Sequence, residues 1–246
     1  MKRLLAAGAK QIYQVARVFR AAERGQRHNP EFTMVEWYRV GDTMNQGMTV
    51  LSDLVESLLQ RGPAERISYR EAFEKHVGVD PHTSSAIELA TLAASRGIDT
   101  PQGWDANDRD AWLELLLSEL VESHLGRHRP TLLYDYPASQ AALAVVRAES
   151  PPVGERFELY LDGVELANGY HELLQADELR RRNAQANRDR TADGKLPLPE
   201  ESRLLAAMDS GLPPCAGVAL GFDRLVMLAA GAKCIDDVIT FPIENA

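Results

Sequence analysis

Three arginines, a histidine, an asparagine and three glutamates crowd into the nineteen residues from Arg20 to Tyr38, RAAERGQRHNPEFTMVEWY. Guanidinium groups match phosphate and carboxylate oxygens in both shape and charge. Phe32 offers a ring on which a base can stack, and Glu36 offers a carboxylate that attracts an amine. Together they suit an anionic ligand with an aromatic base and an amine close by, which points to a nucleotide and an amino acid. Two strands must hold these side chains. An apolar run, Ile12 to Phe19, leads in; Gly25 and Asn29-Pro30 punctuate a charged loop; a second strand-like run follows. A period of two sets Phe32, Met34, Glu36 and Tyr38 on one face, and Thr33, Val35, Trp37 and Arg39 on the other.

A second set of candidates lies in ERFELYLDGVELANGYHE, Glu155 to Glu172. Asp162-Gly163 between alternating runs is a strong two-residue hairpin signal. That turn predicts Leu161 opposite Val164, Tyr160 opposite Glu165 and Glu158 opposite Ala167. Glu158, Tyr160 and Glu165 then share a face, with the two carboxylates as diagonal neighbours roughly 7–8 Å apart. Two acids aimed into one space repel unless a cation lies between them; a solvated face is the plainer reading. Strict alternation places Asn168 on the opposite face from Glu165, unless the strand breaks near Gly169.

The remainder reads as scaffold. A short helix is expected over Met1 to Gly8. Four helices follow, at Asp42 to Arg61 with Asp42 as N-cap, Ser68 to Val77 opened by an S-Y-R-E capping box, Ser84 to Arg96, and Asp108 to Leu125. His124 and His128 could share a metal, but they stand without a third ligand nearby and read as a helix end. A strand is expected at Thr131 to Tyr136, a polar helix at Gln175 to Thr191 and a last small helix at Glu200 to Gly211. At 246 residues and 45% hydrophobic, the chain can bury a sizeable core. A formal charge of −9 argues against broad nucleic-acid binding. Yet Met1 to Val40 holds two lysines and six arginines against three glutamates, a local surplus that suits a triphosphate. Two cysteines define no disulfide framework, so a reducing cytoplasm is expected, and no apolar run reaches membrane-spanning length.

F-R-x-x-E followed by R-H-N-P-E-F-T-M-x-E-W-Y, at 17–39, resembles motif 2 of the class II aminoacyl-tRNA synthetases in its lysine-type form. GVALGFDRLVML, within 215–230, resembles motif 3. The E-W-Y ending, P-A-S-Q at 137–140, and Ala219 where lysine-activating enzymes carry glycine are similar to one offshoot, the elongation factor P β-lysine ligases. The resemblance spans 1–246 as one catalytic domain, with a helical block at 42–126 and the acidic hairpin at 155–172. It implies an α+β fold, an antiparallel sheet flanked by helices.

The same resemblance implies ATP and Mg²⁺ as cofactors. Arg20 would bridge the substrate carboxylate and the α-phosphate, and Arg224 would bind phosphates. Phe32 would stack adenine beside His28 and Asn29, with Ala21, Ala22, Glu23, Leu166 and Gly221 around the nucleotide. Glu158 and Glu165 would hold Mg²⁺, and Glu165 would also border the nucleotide. Glu36, Tyr38, Asn168, Glu172 and Ala219 would contact (R)-β-lysine, whose acyl group would pass to a lysine side chain of elongation factor P. One departure stands out: the acid usually found two residues after the motif 2 arginine is Ala22 here, with Glu23 next. There is no room for an anticodon-binding domain, so tRNA is not the expected acceptor. In the family, a T-S-P-E segment and motif 1 precede MKRLL, and motif 1 builds much of a homodimer interface. The expectation is therefore an N-terminally truncated chain with weakened activation and association. Two alternatives stay open: a catalytic fragment of a lysyl-tRNA synthetase, and a degenerate paralogue that only binds a nucleotide or a partner.

Overall fold

A computed structural model describes residues 1–101, 103–192 and 194–245. After a short helix α1 (Lys2–Ala6), the two apolar runs pair antiparallel as β1 (Gln11–Phe19) and β2 (Glu31–Val40), with the arginine-rich loop at their turn. The helical block follows as α2 (Met44–Leu59), a short strand β3 (Glu65–Ser68), α3 (Tyr69–His76), α4 (Ala86–Ser95) and α5 (Arg109–Leu116). Each helix is shorter than its apolar pattern suggested. Ser68 and Glu71 form the expected capping box, but α2 is capped by Thr43 with Gln46, not by Asp42. Asp42 instead pairs with Arg39 at 3.2 Å. Beyond α5 the chain loosens into a π turn and a 3₁₀ turn ending at His124, whose ring stacks on His76 at 4.4 Å.

Five more strands and three α-helices follow: β4 (Thr131–Pro137), β5 (Val146–Arg147), β6 (Val153–Leu161), β7 (Val164–His171), α6 (Ala176–Ala192), α7 (Arg203–Asp209), β8 (Cys215–Gly221) and α8 (Phe222–Ala229). The sheet runs β1-β2-β8-β7-β6-β4-β3, with β5 on β6. It is antiparallel except for β3 beside β4, which is parallel. The expected antiparallel sheet thus forms with one parallel pair at its edge: β3 and β4 are joined through α3 to α5, a crossover long enough to bring the chain back in the same direction.

Side-chain alternation gives the sheet two unlike faces. Trp37, Val218, Phe157 and Leu159 point to one, where they pack against Met48, Leu51 and Val55 of α2 and Leu225 of α8. The other face is covered only at its ends. Tyr69, Phe73 and Leu113 of the helical block close it beside Leu133 and Tyr160. Leu5 of α1, Leu179 of α6 and Leu205 of α7 close it beside Tyr38 and Cys215. Between these two lids the sheet is open.

Candidate active site

A row of directly opposed residues crosses four strands in that opening: Glu36 on β2, Ala219 on β8, Asn168 on β7 and Glu158 on β6. The next row is Tyr38, Gly217, Tyr170 and Arg156. Asp162 and Gly163 form the predicted turn, both with positive φ (52° and 71°), and Leu161 faces Val164 as expected. Tyr160 faces Glu165 as expected too, and beyond that pair the register differs from the prediction. A bulge lies between Leu159 and Tyr160 in the pairing, so Glu158 opposes Asn168, not Ala167. The parity break needed to turn Asn168 toward the glutamates thus occurs at Leu166, ahead of Gly169. One extra residue in a strand reverses the face of everything after it.

Glu158 is 5% exposed and its carboxylate is saturated. Oε2 accepts from the Tyr136 and Tyr160 hydroxyls, both at 2.6 Å. Oε1 accepts from Arg156 Nη2 at 2.5 Å and Asn168 Nδ2 at 3.0 Å. Burial first, and then the charge of Glu158, push both phenols well above their ordinary value, which keeps them as donors. Glu165 stands differently. It is half-buried, and burial, then the Glu158 charge, push its carboxyl up, while Arg224 offsets part of the rise. An acid raised by a second acid is a place where a cation lowers the energy. Glu165 has acceptor capacity left for one; Glu158 lends negative charge behind it. No cluster of three or more ligand-type side chains occurs among the described residues.

Four arginines and several acids surround a cavity of about 300 Å³ over this row. Arg20 comes from the end of β1, its guanidinium 5.4 Å from the Phe32 ring and 3.5 Å from Glu23. Arg224, near the start of α8, donates to the Glu165 carbonyl at 2.8 Å and the Arg27 carbonyl at 3.1 Å, and meets His28 Nε2 at 2.5 Å. Burial and then the Arg224 charge hold His28 below its ordinary value, so the imidazole faces that arginine as a neutral acceptor. Asn29 is 3% exposed and fixes the loop, donating to the Glu31 carbonyl and accepting from the Ile243 N–H.

Of the predicted residues, Arg20, Glu23, His28, Asn29, Phe32, Glu158, Glu165, Leu166, Asn168, Ala219, Gly221 and Arg224 all line the cavity. Glu36 and Tyr38 lie one step away and bond to each other, Tyr38 donating its hydroxyl. Ala21 and Ala22 form the exposed loop tip, where Ala22 has a φ of 65°. Glu172 is 1% exposed and paired with Lys2 Nζ at 2.5 Å. Sequence reasoning missed Arg156, Tyr136 and Arg27. Arg156 was findable, because it sits two residues before Glu158 and shares its face.

The sequence model of the family "tRNA synthetases class II (D, K and N)" matches residues 1–245. The chain belongs to that family. Proteins with the name elongation factor P–(R)-β-lysine ligase from Klebsiella pneumoniae subsp. pneumoniae, Salmonella paratyphi B and Salmonella agona are each 47% identical to it over 246 residues. Each alignment takes in 100% of this chain and 75% of the relative. Membership of that family implies the use of ATP. No helix among the described residues is long and apolar enough to cross a membrane.

Proposed function

We propose that the chain activates (R)-β-lysine with ATP and transfers it to a lysine side chain of elongation factor P. A substrate carboxylate oxygen attacks the α-phosphorus and pyrophosphate leaves, giving an aminoacyl-adenylate. The acceptor amine then attacks the acyl carbon, loses a proton, and AMP leaves. Arg20, loosely paired with Glu23 at 3.5 Å, neutralises charge as the five-coordinate phosphorus forms. Arg224, braced by three contacts, holds the phosphates, and Phe32 stacks the base. Glu36, Tyr38, Asn168 and Glu172 grip the substrate amines, with Ala219 as the floor between Glu36 and Asn168. Glu165, with Glu158 behind it, would hold Mg²⁺, which when bound offsets the charge on the phosphates.

The observation that carries this reading is the Glu36–Ala219–Asn168–Glu158 row, which sets two carboxylates at opposite ends of one open floor, one for the proposed amine and one behind the proposed cation. Support for the acceptor comes from the relatives named as elongation factor P ligases. ATP–pyrophosphate exchange with (R)-β-lysine and with lysine, followed by mass analysis of elongation factor P, tests it. A preference for β-lysine and a mass gain of one acyl group are expected. Exchange with lysine alone, together with charging of tRNA, would return the chain to the lysyl-tRNA synthetase reading. Binding of ATP with no exchange would support the degenerate paralogue.

A further inference from the structure

Glu172 follows directly on β7 under the α1 lid, bridged to Ala144, and the groups that face it come from three elements. Lys2 of α1 supplies the ion pair at 2.5 Å, with side chains only 13% and 1% exposed. Glu36 and Tyr38 face it from β2, and Cys215 from β8. Its neighbour His171 is engaged by Glu155, and Tyr170 is half-buried beside it. The corner is tight: a side chain at Gly217 would collide with both Glu172 and the Tyr38 ring. Lys2 Nζ also lies 5.9 Å from the centre of that ring. Two carboxylates, Glu36 and Glu172, therefore share one nearly dry corner with a single lysine reaching into it.

We propose that Lys2 is a positioning residue that keeps Glu172 charged, so that this buried carboxylate can accept the ammonium group of the amino-acid substrate. The inference rests on the reading of Glu172 given under the proposed function. Burial pushes the Glu172 carboxyl up, Lys2 pulls it back down, and the Glu36 charge pushes it up again. Without the lysine, burial and Glu36 both favour the neutral form. A neutral carboxyl is a weak partner for an ammonium, because the charge-assisted part of the contact is gone. Lys2 thus acts on the substrate only through Glu172, from a helix 170 positions away in the chain.

Four variants test this: Lys2→Met, the milder Lys2→Gln, Lys2→Arg and Glu172→Gln. ATP–pyrophosphate exchange is measured with (R)-β-lysine and with lysine from about pH 6.5 to about 8.5, a range above the ordinary carboxylate value. In parallel, carbon-13 NMR of glutamate-labelled protein reads the ionisation of Glu172 directly, without depending on turnover. Lys2→Met and Lys2→Gln should raise the amino-acid KM about tenfold or more near neutrality, one tenfold step per pH unit of lost ionisation. The defect should shrink as pH rises, KM for ATP should hold, and Lys2→Arg should restore most of the affinity. Glu172→Gln should show the same KM defect with no pH recovery. If Glu172 stays ionised without Lys2, or both KM values rise together independently of pH, the inference is overturned and Lys2 is only a structural contact. If Glu172→Gln leaves the amino-acid KM unchanged, it is the placement of the substrate amine at Glu172 that fails.

Discussion

Two glycines of β8 stand four residues apart on the same face, and the same substitution should act in opposite directions at them. At Gly217 an added Cβ would fall against Glu172 Oε1 and two ring carbons of Tyr38, well inside the roughly 3.5–4.0 Å at which such atoms rest. Neither neighbour can retreat easily. Tyr38 is 6% exposed and tied to Glu36, and Glu172 is tied to Lys2. At Gly221 the nearest atoms would lie at 3.8 Å, and no positive φ is required there. Gly217→Ala should cost about 1–3 kcal/mol through overpacking. Gly221→Ala should be neutral or gain up to roughly 0.5–1 kcal/mol, because alanine loses less backbone entropy in a strand. Urea unfolding measures both. Kinetically the pair should separate again. Gly217→Ala displaces Tyr38 and Glu172 and should raise the amino-acid KM, whereas Gly221→Ala projects into the cavity and should raise the KM for ATP. Equal stability of the two variants, or a shared kinetic defect, would refute the account of how this strand divides the site.

Glu165→Gln should cut adenylate formation on the order of a hundredfold and raise the magnesium requirement, since a Lewis-acid metal supplies several kcal/mol; unchanged magnesium dependence would remove Glu165 from a metal-holding role. Arg24 clasps the loop to the C-terminal segment, at 2.6 Å to Glu244 and 2.8 Å to Asp236. Arg24→Ala should therefore raise the ATP KM severalfold while leaving the unfolding midpoint nearly unchanged, as for other exposed pairs, measured by exchange kinetics beside thermal unfolding. His28 has a folded pKa below its unfolded value, so the unfolded chain binds the proton more readily. Its stability contribution is present above about pH 6.5 and is lost as pH falls through the folded value; His28→Gln should flatten that part of a urea-midpoint against pH curve.

Much of the scaffold was legible because it is local. The Asp162-Gly163 turn, the Ser68–Glu71 capping box and the alternation along β2 depend on residues a few positions apart, and each forms as expected. The motif resemblance then supplied the strands' roles. What could not be read were meetings set by the strand order β2-β8-β7-β6. Nothing near Glu172 announces Lys2, and nothing near Arg24 announces Glu244. Tyr136 reaches Glu158 only because β4 lies beside β6. Likewise, helix ends moved inward wherever a cap such as Thr43 outcompeted the apolar pattern.

The bulge at Leu166 shows why the missing information mattered most at the site. A strand that alternates strictly can serve a core and a cavity, but only with alternating residue types. In VELANGYH, the chemistry needs Glu165 and Asn168 on the cavity side, three apart, which strict alternation forbids. Inserting one residue into the ladder resolves the conflict: Leu166 and Ala167 both join the core beneath the sheet, with Val164 before them. Asn168 then turns up opposite Glu158 and between it and Ala219. The cost is one disrupted ladder step, placed where two apolar side chains can absorb it. From there the substrate floor, the acid pair and the Tyr38–Gly217–Tyr170 row follow from register alone.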